Sequence, residues 1–227
     1  MRSLLTALVA AGGLLVGVSS QAKASIILDG DFTNPSGGPD FATYGPCGGV
    51  CIAGPMGPWN IVAGSVDLGS VDLIGGYWQA PPGGGGSVDL DGHSPGAISQ
   101  SFSTTPGKYQ LSFYLSVNPD GTSSPTRTVL VSVGDQSSVP FTFVGTSFRF
   151  QPMNYIHEIL NFTVAGPTAL KFASADSSGY FGPVIGNVAV SSTPLPSTWA
   201  MLLIGLAGLG FVASRRTKTG AAAIAAA

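Results

Sequence analysis

The sequence feature that most constrains the fold is a strict alternation of side chains from Tyr109 to Val117. Every second residue there is apolar, and the residues between are Gln, Ser, Tyr and Ser. A period of two places successive side chains on opposite faces of an extended chain, whereas a helix would need a spacing of three to four. The segment therefore predicts a β-strand with one face against a core.

Shorter segments of the same character follow along the chain, and turn residues separate them. The predicted strands are Ile26–Leu28, Ser65–Leu68, Ser87–Leu90, Ala97–Phe102, Thr128–Val133, Val139–Val144, Leu160–Val164, Leu170–Ser174 and Val184–Val190. Asp-Gly, Pro-Gly and Gly-Asp pairs between them are turn signals. Glu158 is the only Glu of the chain, while Gly, Ser, Thr and Val are abundant, which favours sheet over helix. Many short strands at even spacing predict an all-β antiparallel sandwich.

The N-terminus has the composition of an export signal. Arg2 precedes an apolar run from Leu4 to Val18, and Ala22-Lys23-Ala24 fits the rule of small residues around a cleavage site. We therefore predict a signal peptide over residues 1–24. The sandwich domain is then expected over residues 25–192, which is enough chain to bury a core.

The C-terminus combines a proline motif, an uncharged apolar run and two arginines. In order, these are Pro194, Pro196, the run from Trp199 to Ala213, Arg215 and Arg216. The run predicts a transmembrane helix, although its about 15 residues fall short of the ~20 of a full crossing. The arginines are expected on the cytoplasmic side of the inner membrane. We predict a sorting segment over residues 193–216, in transient contact with that membrane, and an Ala-rich tail over residues 217–227.

This tail resembles the PEP-CTERM sorting signal that exosortase-type enzymes process in Gram-negative bacteria. The shared features are Pro194-x-Pro196, the Gly-rich centre of the apolar run and the arginine pair. Leu195 stands where the family has a Glu, as in a Pro-Leu-Pro variant of the signal. The resemblance implies an exosortase-type partner and a final location at the cell surface or in the extracellular matrix.

The only two cysteines, Cys47 and Cys51, are expected to form a disulfide, because the protein is predicted to be exported. A ring this small should stabilise the fold by roughly 2 kcal/mol. Zinc is the weaker alternative, since it needs four ligands and neither His lies nearby in sequence.

The charge of the predicted domain argues against nucleic acid as a partner. Residues 25–192 contain eleven acidic residues and four basic ones, for a formal net charge of −7. The basic residues are Lys108, Arg127, Arg149 and Lys171, which are spread along the sequence. A domain without a basic patch lacks the electrostatic attraction that nucleic-acid binding requires.

Several segments of the domain resemble the domain of unknown function 642, whose bacterial relatives include the choice-of-anchor C proteins. The most specific is Ser87–Gly92 followed by Gly96–Phe102, and Trp59–Asp67 and Gly182–Val188 add to it. The resemblance implies a galactose-binding-like jelly-roll sandwich and association with wall polysaccharides. It supplies no catalytic residues.

The same resemblance implies a possible structural calcium between the first and last strands, with no other cofactor required. Asp31 and Asn187 are the candidate ligands, since calcium prefers oxygen. Thr33 stands where the family has a Glu, and this leaves the predicted site with fewer acidic ligands.

Three aromatic residues are candidates for binding carbohydrate by stacking on sugar rings: Tyr77, Trp78 and Trp59. Tyr77 and Trp78 lie in the Gly-rich loop Gly75–Gly86, which is expected to be flexible, and are favoured. For Trp59 a place in the core is favoured over stacking on a sugar. We predict a non-catalytic carbohydrate-binding protein with polysaccharide as its partner, or alternatively a structural component of an exopolysaccharide or biofilm matrix.

A polysaccharide-active hydrolase is the alternative from another class. Glycosidases use paired carboxylates, and four Asp residues qualify: Asp67, Asp72, Asp89 and Asp91. The Gly92–Gly96 segment fits the G-x-S-x-G pattern of serine hydrolases, but Pro95 has no backbone N–H for the oxyanion hole. The sequence therefore predicts no catalytic serine.

Overall fold

The computed structural model describes residues 25–34, 41–69, 76–120, 126–145, 149–177, 179–193 and 202–209. These residues form eleven β-strands and one short helix, at 202–209. The strands are β1 (Ala42–Tyr44), β2 (Asn60–Ala63), β3 (Val66–Gly69), β4 (Ser87–Asp89), β5 (Ala97–Phe102), β6 (Gly107–Val117), β7 (Thr126–Val133), β8 (Val139–Val144), β9 (Ile156–Val164), β10 (Thr168–Ser174) and β11 (Pro183–Ser192).

The strands form two antiparallel sheets, which confirms the predicted all-β sandwich. One sheet has the order β1-β3-β4-β11-β6-β9 and the other β2-β5-β10-β7-β8. The last strand, β11, lies between β4 and β6, so each sheet joins segments that are distant in sequence. Connections of this kind are typical of jelly-roll sandwiches.

The core lies between the sheets and follows from the alternation along β6. Leu111, Phe113 and Leu115 are fully buried, and the Phe113 ring contacts Phe172 of the opposite sheet edge-on at 5.2 Å. Trp59 is also fully buried, and its indole N–H donates to the Asp29 carbonyl at 3.1 Å. The expectation that Trp59 stacks on a sugar is therefore wrong, because its ring belongs to the core.

The first segment of the domain departs from the prediction. Ile26–Leu28 is not a strand, although the Ile26 N–H donates to the Val190 carbonyl of β11. The Gln100 side chain instead takes the place of a partner strand. It accepts from the Leu28 N–H at 2.7 Å and donates to the Leu28 carbonyl at 2.9 Å. The segment is thus bound to both sheets.

Both ends of the sandwich sequence lie at the same end of the fold. The Ser25 hydroxyl accepts from the Val190 N–H at 3.2 Å, and the Thr193 N–H donates to the Lys108 carbonyl at 3.0 Å. Pro183, at the start of β11, pairs with Val117 at the other end of β6.

The structure contains the predicted disulfide. Cys47 and Cys51 are bonded to each other, with their Cα atoms 5.5 Å apart. Ligand atoms of this pair and of His93 lie within 4.8 Å of one another. Two sulfurs joined to each other are not thiolate ligands, so we assign no metal to this group.

No helix among the described residues is long and apolar enough to cross a membrane. The helix at 202–209 covers part of the apolar run predicted from Trp199 to Ala213. The rest of that run, residues 1–24, Pro194, Pro196, Arg215 and Arg216 lie outside the described residues.

Candidate functional site

Outward-facing side chains of five neighbouring strands form a row across one end of the six-stranded sheet. Following the strand pairing, the row is Thr43, Asp67, Asp89, Val184 and Ser116. Their sequence neighbours Val66 and Val88 are fully buried in the core, so alternation places the row on the opposite face. The position of polar groups on this face is thus a direct result of strand register.

A cleft of about 300 Å³ lies beside this row, and Thr43 and Asp67 belong to its wall. Its aromatic lining residues are Phe41, Tyr77, Trp78, Tyr180 and Phe181, and its polar ones include Asp67, His93, Asn118 and Asp120. Tyr180 is 57 % exposed, and its ring contacts the His93 imidazole edge-on at 5.6 Å. Apolar rings and hydrogen-bonding groups therefore face the same space.

Tyr180 is held in an unusual backbone conformation, with φ at 92°. Residues other than Gly rarely adopt positive φ, because the Cβ atom then crowds the backbone. The preceding Gly179 packs against the backbone of His93 and Ser94, where a Cβ atom would lie 2.7 Å from the Ser94 Cα. This close approach brings the Tyr180 ring to the cleft.

Tyr77 lies in the cleft wall, and its orientation is fixed by three neighbours. Its hydroxyl donates to the Asp120 carboxylate, which also pairs with the Arg149 guanidinium. The same guanidinium lies 5.2 Å from the centre of the Tyr77 ring, and Phe150 contacts this ring edge-on at 5.6 Å. The structure therefore brings one of the predicted aromatic residues to the site.

Trp78 has a different environment from its neighbour Tyr77. It is 6 % exposed, its indole N–H donates to the Ser87 hydroxyl at 2.7 Å, and it packs with Met153 and Val184. The loop folds over the outer face of the sheet, and Trp78 attaches it there. The expectation that the Trp78 ring stacks on a sugar is wrong for this conformation, since its faces are covered by protein.

Two glycines of this loop, Gly83 and Gly85, pack closely against other segments of the domain, while the position of Gly84 is open. A Cβ atom at Gly83 would lie 2.4 Å from the Asn187 side-chain nitrogen, and one at Gly85 would lie 2.4 Å from the Asp31 carbonyl. The Asn187 amide donates to the Pro82 carbonyl at 2.9 Å, and the Gly86 N–H donates to the Asp31 carbonyl at 2.8 Å. The run is therefore held between the first and last segments of the domain.

The two candidate calcium ligands thus lie at the same loop, but Asn187 is engaged in holding it. The Asp31 carboxylate accepts from the Thr33 hydroxyl at 3.2 Å, and the same hydroxyl contacts Asp29 at 3.3 Å. Burial raises the pKa of Asp29, and the Asp31 charge adds to the shift. Two neighbouring carboxylates suit a hard cation, and structural calcium stays a prediction.

Two of the four carboxylates considered for hydrolysis are fully buried beneath the cleft. Asp89 accepts hydrogen bonds from the Asn118 amide at 2.6 Å, the Asp91 N–H at 2.8 Å and the Gly182 N–H at 3.0 Å. Burial raises the pKa of Asp89 well above its ordinary value despite these bonds. Asp72 lies outside the described residues.

Asp91 is fully buried, and its carboxyl oxygens have no hydrogen-bond partner of good geometry among the described residues. Burial raises its pKa to about 7; the nearby Ser174 hydroxyl opposes this shift and the Asp176 charge adds to it. Asp176 in turn pairs with Arg127 at 3.1 Å. Neither Asp89 nor Asp91 can contact a ligand directly.

The row contains two acidic residues, Asp67 and Asp89, and Asp67 is the one that lines the cleft. The Thr43 hydroxyl donates to one of its oxygens at 2.5 Å. Burial raises the pKa of Asp67, while the Thr43 hydrogen bond and the nearby His93 charge oppose the shift. The carboxylate is half-buried and has one oxygen fixed by protein, which suits it to ligand binding.

The fold and the cleft together define a β-sandwich domain with a ligand-sized site at one end of a sheet. The family described as "Protein of unknown function (DUF642)" matches residues 26–191, and the chain belongs to this family. The PEP-CTERM protein-sorting motif matches residues 192–216, so both predicted resemblances are confirmed. No curated protein matches the chain.

Several solved structures are similar to this chain at low identity. A family 35 carbohydrate-binding module from Clostridium thermocellum is 17 % identical over 60 % of this chain and 92 % of its own, with a TM-score of 0.41. A TmCBM61 structure in complex with β-1,4-galactotriose is 10 % identical over 75 % and 100 %, with a TM-score of 0.43. An exo-β-1,3-galactanase from Phanerochaete chrysosporium is 20 % identical over 56 % of this chain and 26 % of its own, with a TM-score of 0.37.

Proposed function

We propose that this protein is an exported, non-catalytic carbohydrate-binding protein of the cell surface or extracellular matrix. The cleft carries the proposal. A sugar ring presents apolar C–H faces and hydroxyl groups together, and the cleft offers exposed aromatic rings beside carboxylate, amide and imidazole groups. The acidic character of the domain and its sorting motif are consistent with a partner outside the cell.

The positions of the carboxylates support a binding role over hydrolysis. Glycosidases need two carboxyl groups that flank the scissile bond. Asp89 and Asp91 are fully buried, and Asp120 is engaged by Tyr77 and Arg149. Asp67 is then the one acidic side chain of the described cleft wall that can meet a ligand without breaking an ion pair.

A single cleft of this size is expected to bind weakly. One sugar stacked on one aromatic ring contributes on the order of 1 kcal/mol beyond area burial. Many copies displayed on one surface would supply avidity for a polymer with repeated units. Long polysaccharides are therefore the expected partners, and a structural role in a matrix is compatible with this binding.

A Tyr180→Ala substitution is expected to weaken glycan binding by about fivefold to tenfold, because it removes an exposed ring from the cleft. Affinity electrophoresis of the purified protein on neutral and charged polysaccharides measures this. Tyr114→Ala is the matched control, since Tyr114 lies on the outer face of the same sheet and stacks on His157. It is expected to bind like the unmodified protein.

The outcomes separate the possible functions. If Tyr180→Ala binds polysaccharide as well as the Tyr114→Ala control does, the glycan site lies elsewhere on the domain. No retention on any polysaccharide would refute carbohydrate binding altogether. Release of reducing sugar during incubation would instead favour the hydrolase.

The sorting motif leads to a separate prediction about processing. We expect the chain to be cut near Pro196 by an exosortase-type enzyme, and so to lose the Arg215-Arg216 pair. Intact-mass measurement of protein extracted from the cell surface tests this. A mature mass that still includes Arg215 and Arg216 would refute processing, whether or not the domain binds glycans.

A further inference from the structure

We propose that the cleft recognises a cationic amino-sugar unit, with the Asp67 carboxylate as its counter-charge. This inference rests on the proposed function, because it specifies which sugars the same cleft accepts. Three observations lead to it: the distribution of charge around the cleft, the hydrogen bonding of Asp67, and the shape of the aromatic wall.

Acidic groups outnumber basic ones around the cleft. The described acidic groups in its wall or directly behind it are Asp67, Asp89, Asp91, Asp120 and Asp176, and the arginines there are Arg127 and Arg149. Each arginine already has a partner, since Arg127 pairs with Asp176 and Arg149 with Asp120. Even if the buried Asp89 and Asp91 carry protons, one acidic group is left without an arginine.

That remaining group is Asp67, which lies in the cleft wall. Among the described residues it forms no ion pair, and His93 is the base whose charge acts on it. Thr43 occupies one of its oxygens, and the other has no hydrogen bond to a described side chain or backbone group. This oxygen is therefore available to a donor on the ligand.

The charge of the ligand then decides how well it fits. A half-buried carboxylate attracts an ammonium group more strongly than a fully hydrated carboxylate does, because the effective dielectric constant around it is lower than in water. A uronic acid would bring a second negative charge beside Asp67, with no free arginine to receive it. We therefore expect the cleft to bind amino sugars more tightly than neutral sugars, and neutral sugars more tightly than uronic acids.

The aromatic wall is compatible with a pyranose ring held beside Asp67. Phe41 and Tyr180 are each 57 % exposed, and both line the cleft together with Asp67. Stacking on these rings contributes affinity for any hexose, whereas Asp67 determines the specificity among hexoses of different charge. The two contributions can therefore be separated by mutation.

The test compares two oligomers that share a backbone and differ in charge, together with an acidic oligomer. Binding of glucosamine oligomers, N-acetylglucosamine oligomers of equal length and galacturonate oligomers is measured by calorimetry at pH 6 and low salt. We expect about tenfold tighter binding of the free amine than of its acetylated form. This preference should shrink as salt is added, because ions screen a partly exposed pair.

Asp67→Asn keeps the shape of the side chain and removes its charge. We expect the variant to bind the acetylated oligomer normally, to lose the preference for the free amine to within about twofold, and to keep the wild-type melting temperature. Asp135→Asn is the matched control, because Asp135 is exposed in the turn between β7 and β8. It should retain the full preference.

Each remaining outcome contradicts the inference. If acetylated oligomers bind but the free amine is not preferred, the amino-sugar inference fails and carbohydrate binding stands. The same holds if galacturonate oligomers bind as tightly as the amine, or if Asp67→Asn keeps the preference. If none of the oligomers and no polysaccharide binds, both proposals fail.

Discussion

A Trp59→Ala substitution is expected to lower the free energy of unfolding by about 3–5 kcal/mol, which is the usual cost of removing a large buried aromatic ring. Trp59 is fully buried, and its ring lies 5.5 Å from that of Phe32 and 6.2 Å from that of Phe172. The substitution would also leave the Asp29 carbonyl without its indole donor. For a domain of this size the melting temperature should fall by roughly 10 °C.

Thermal and urea unfolding measure this effect, and Phe41→Ala is a suitable control. Phe41 is an aromatic residue of the cleft with more than half of its surface exposed. Its removal should change stability by no more than about 0.5 kcal/mol. If the Trp59→Ala protein has the same melting temperature as the wild type, Trp59 is not part of the core.

The second large effect is a loss of stability as the pH rises from about 4 to about 7, which Asp91→Asn should relieve. The pKa of Asp91 is about 7 in the folded protein, against an ordinary value of 3.8, because the group is buried. Between these two values the folded state holds a proton that the unfolded state has released. Stability therefore falls as pH rises from about 4 to about 7, by up to about 1.4 kcal/mol per pH unit for one such group.

Urea unfolding at pH 5 and pH 8 tests this. The wild-type protein should be less stable at pH 8, and Asp91→Asn should be more stable than the wild type at pH 8 with a smaller difference between the two pH values. Asp89 keeps part of the dependence in the variant, since burial also raises its pKa. The exposed Asp135→Asn control should retain the whole dependence. A wild-type protein that gains stability from pH 5 to pH 8 would contradict the assignment.

Strands with a strong alternation could be predicted from the sequence, and those that depend on distant partners could not. The strand predicted over Tyr109–Val117 spans Gly107–Val117 in the structure. Two other strands, Ala97–Phe102 and Val139–Val144, have the predicted bounds. By contrast, β1 and β2 lie in segments rich in Gly and Pro that show no periodicity. They are strands because they pair with β3 and β5, and such pairing has no local signal.

The residues of the cleft could be predicted from the sequence even less well than the strands. Tyr77 and Trp78 are neighbours in sequence with the same apparent suitability for sugar binding, and both belong to the cleft wall, yet Trp78 is almost fully covered by protein. Trp78 is buried because it packs on Met153, which is 75 residues away in sequence. The exposed rings of Phe41 and of the adjacent pair Tyr180-Phe181 come from two distant points of the chain. Only the register of the strands brings them together.

The placement of the chain ends has a consequence for how the protein is displayed. The sorting segment follows β11, whose last residues lie beside Ser25, whereas the cleft lies at the strand's other end. Ten residues of extended chain separate the two ends by about 30 Å. If the domain is attached to a surface through the residues that follow β11, its cleft lies at the end farthest from the point of attachment. Under the proposed function, polymer bound by neighbouring copies would then lie away from the surface that carries them.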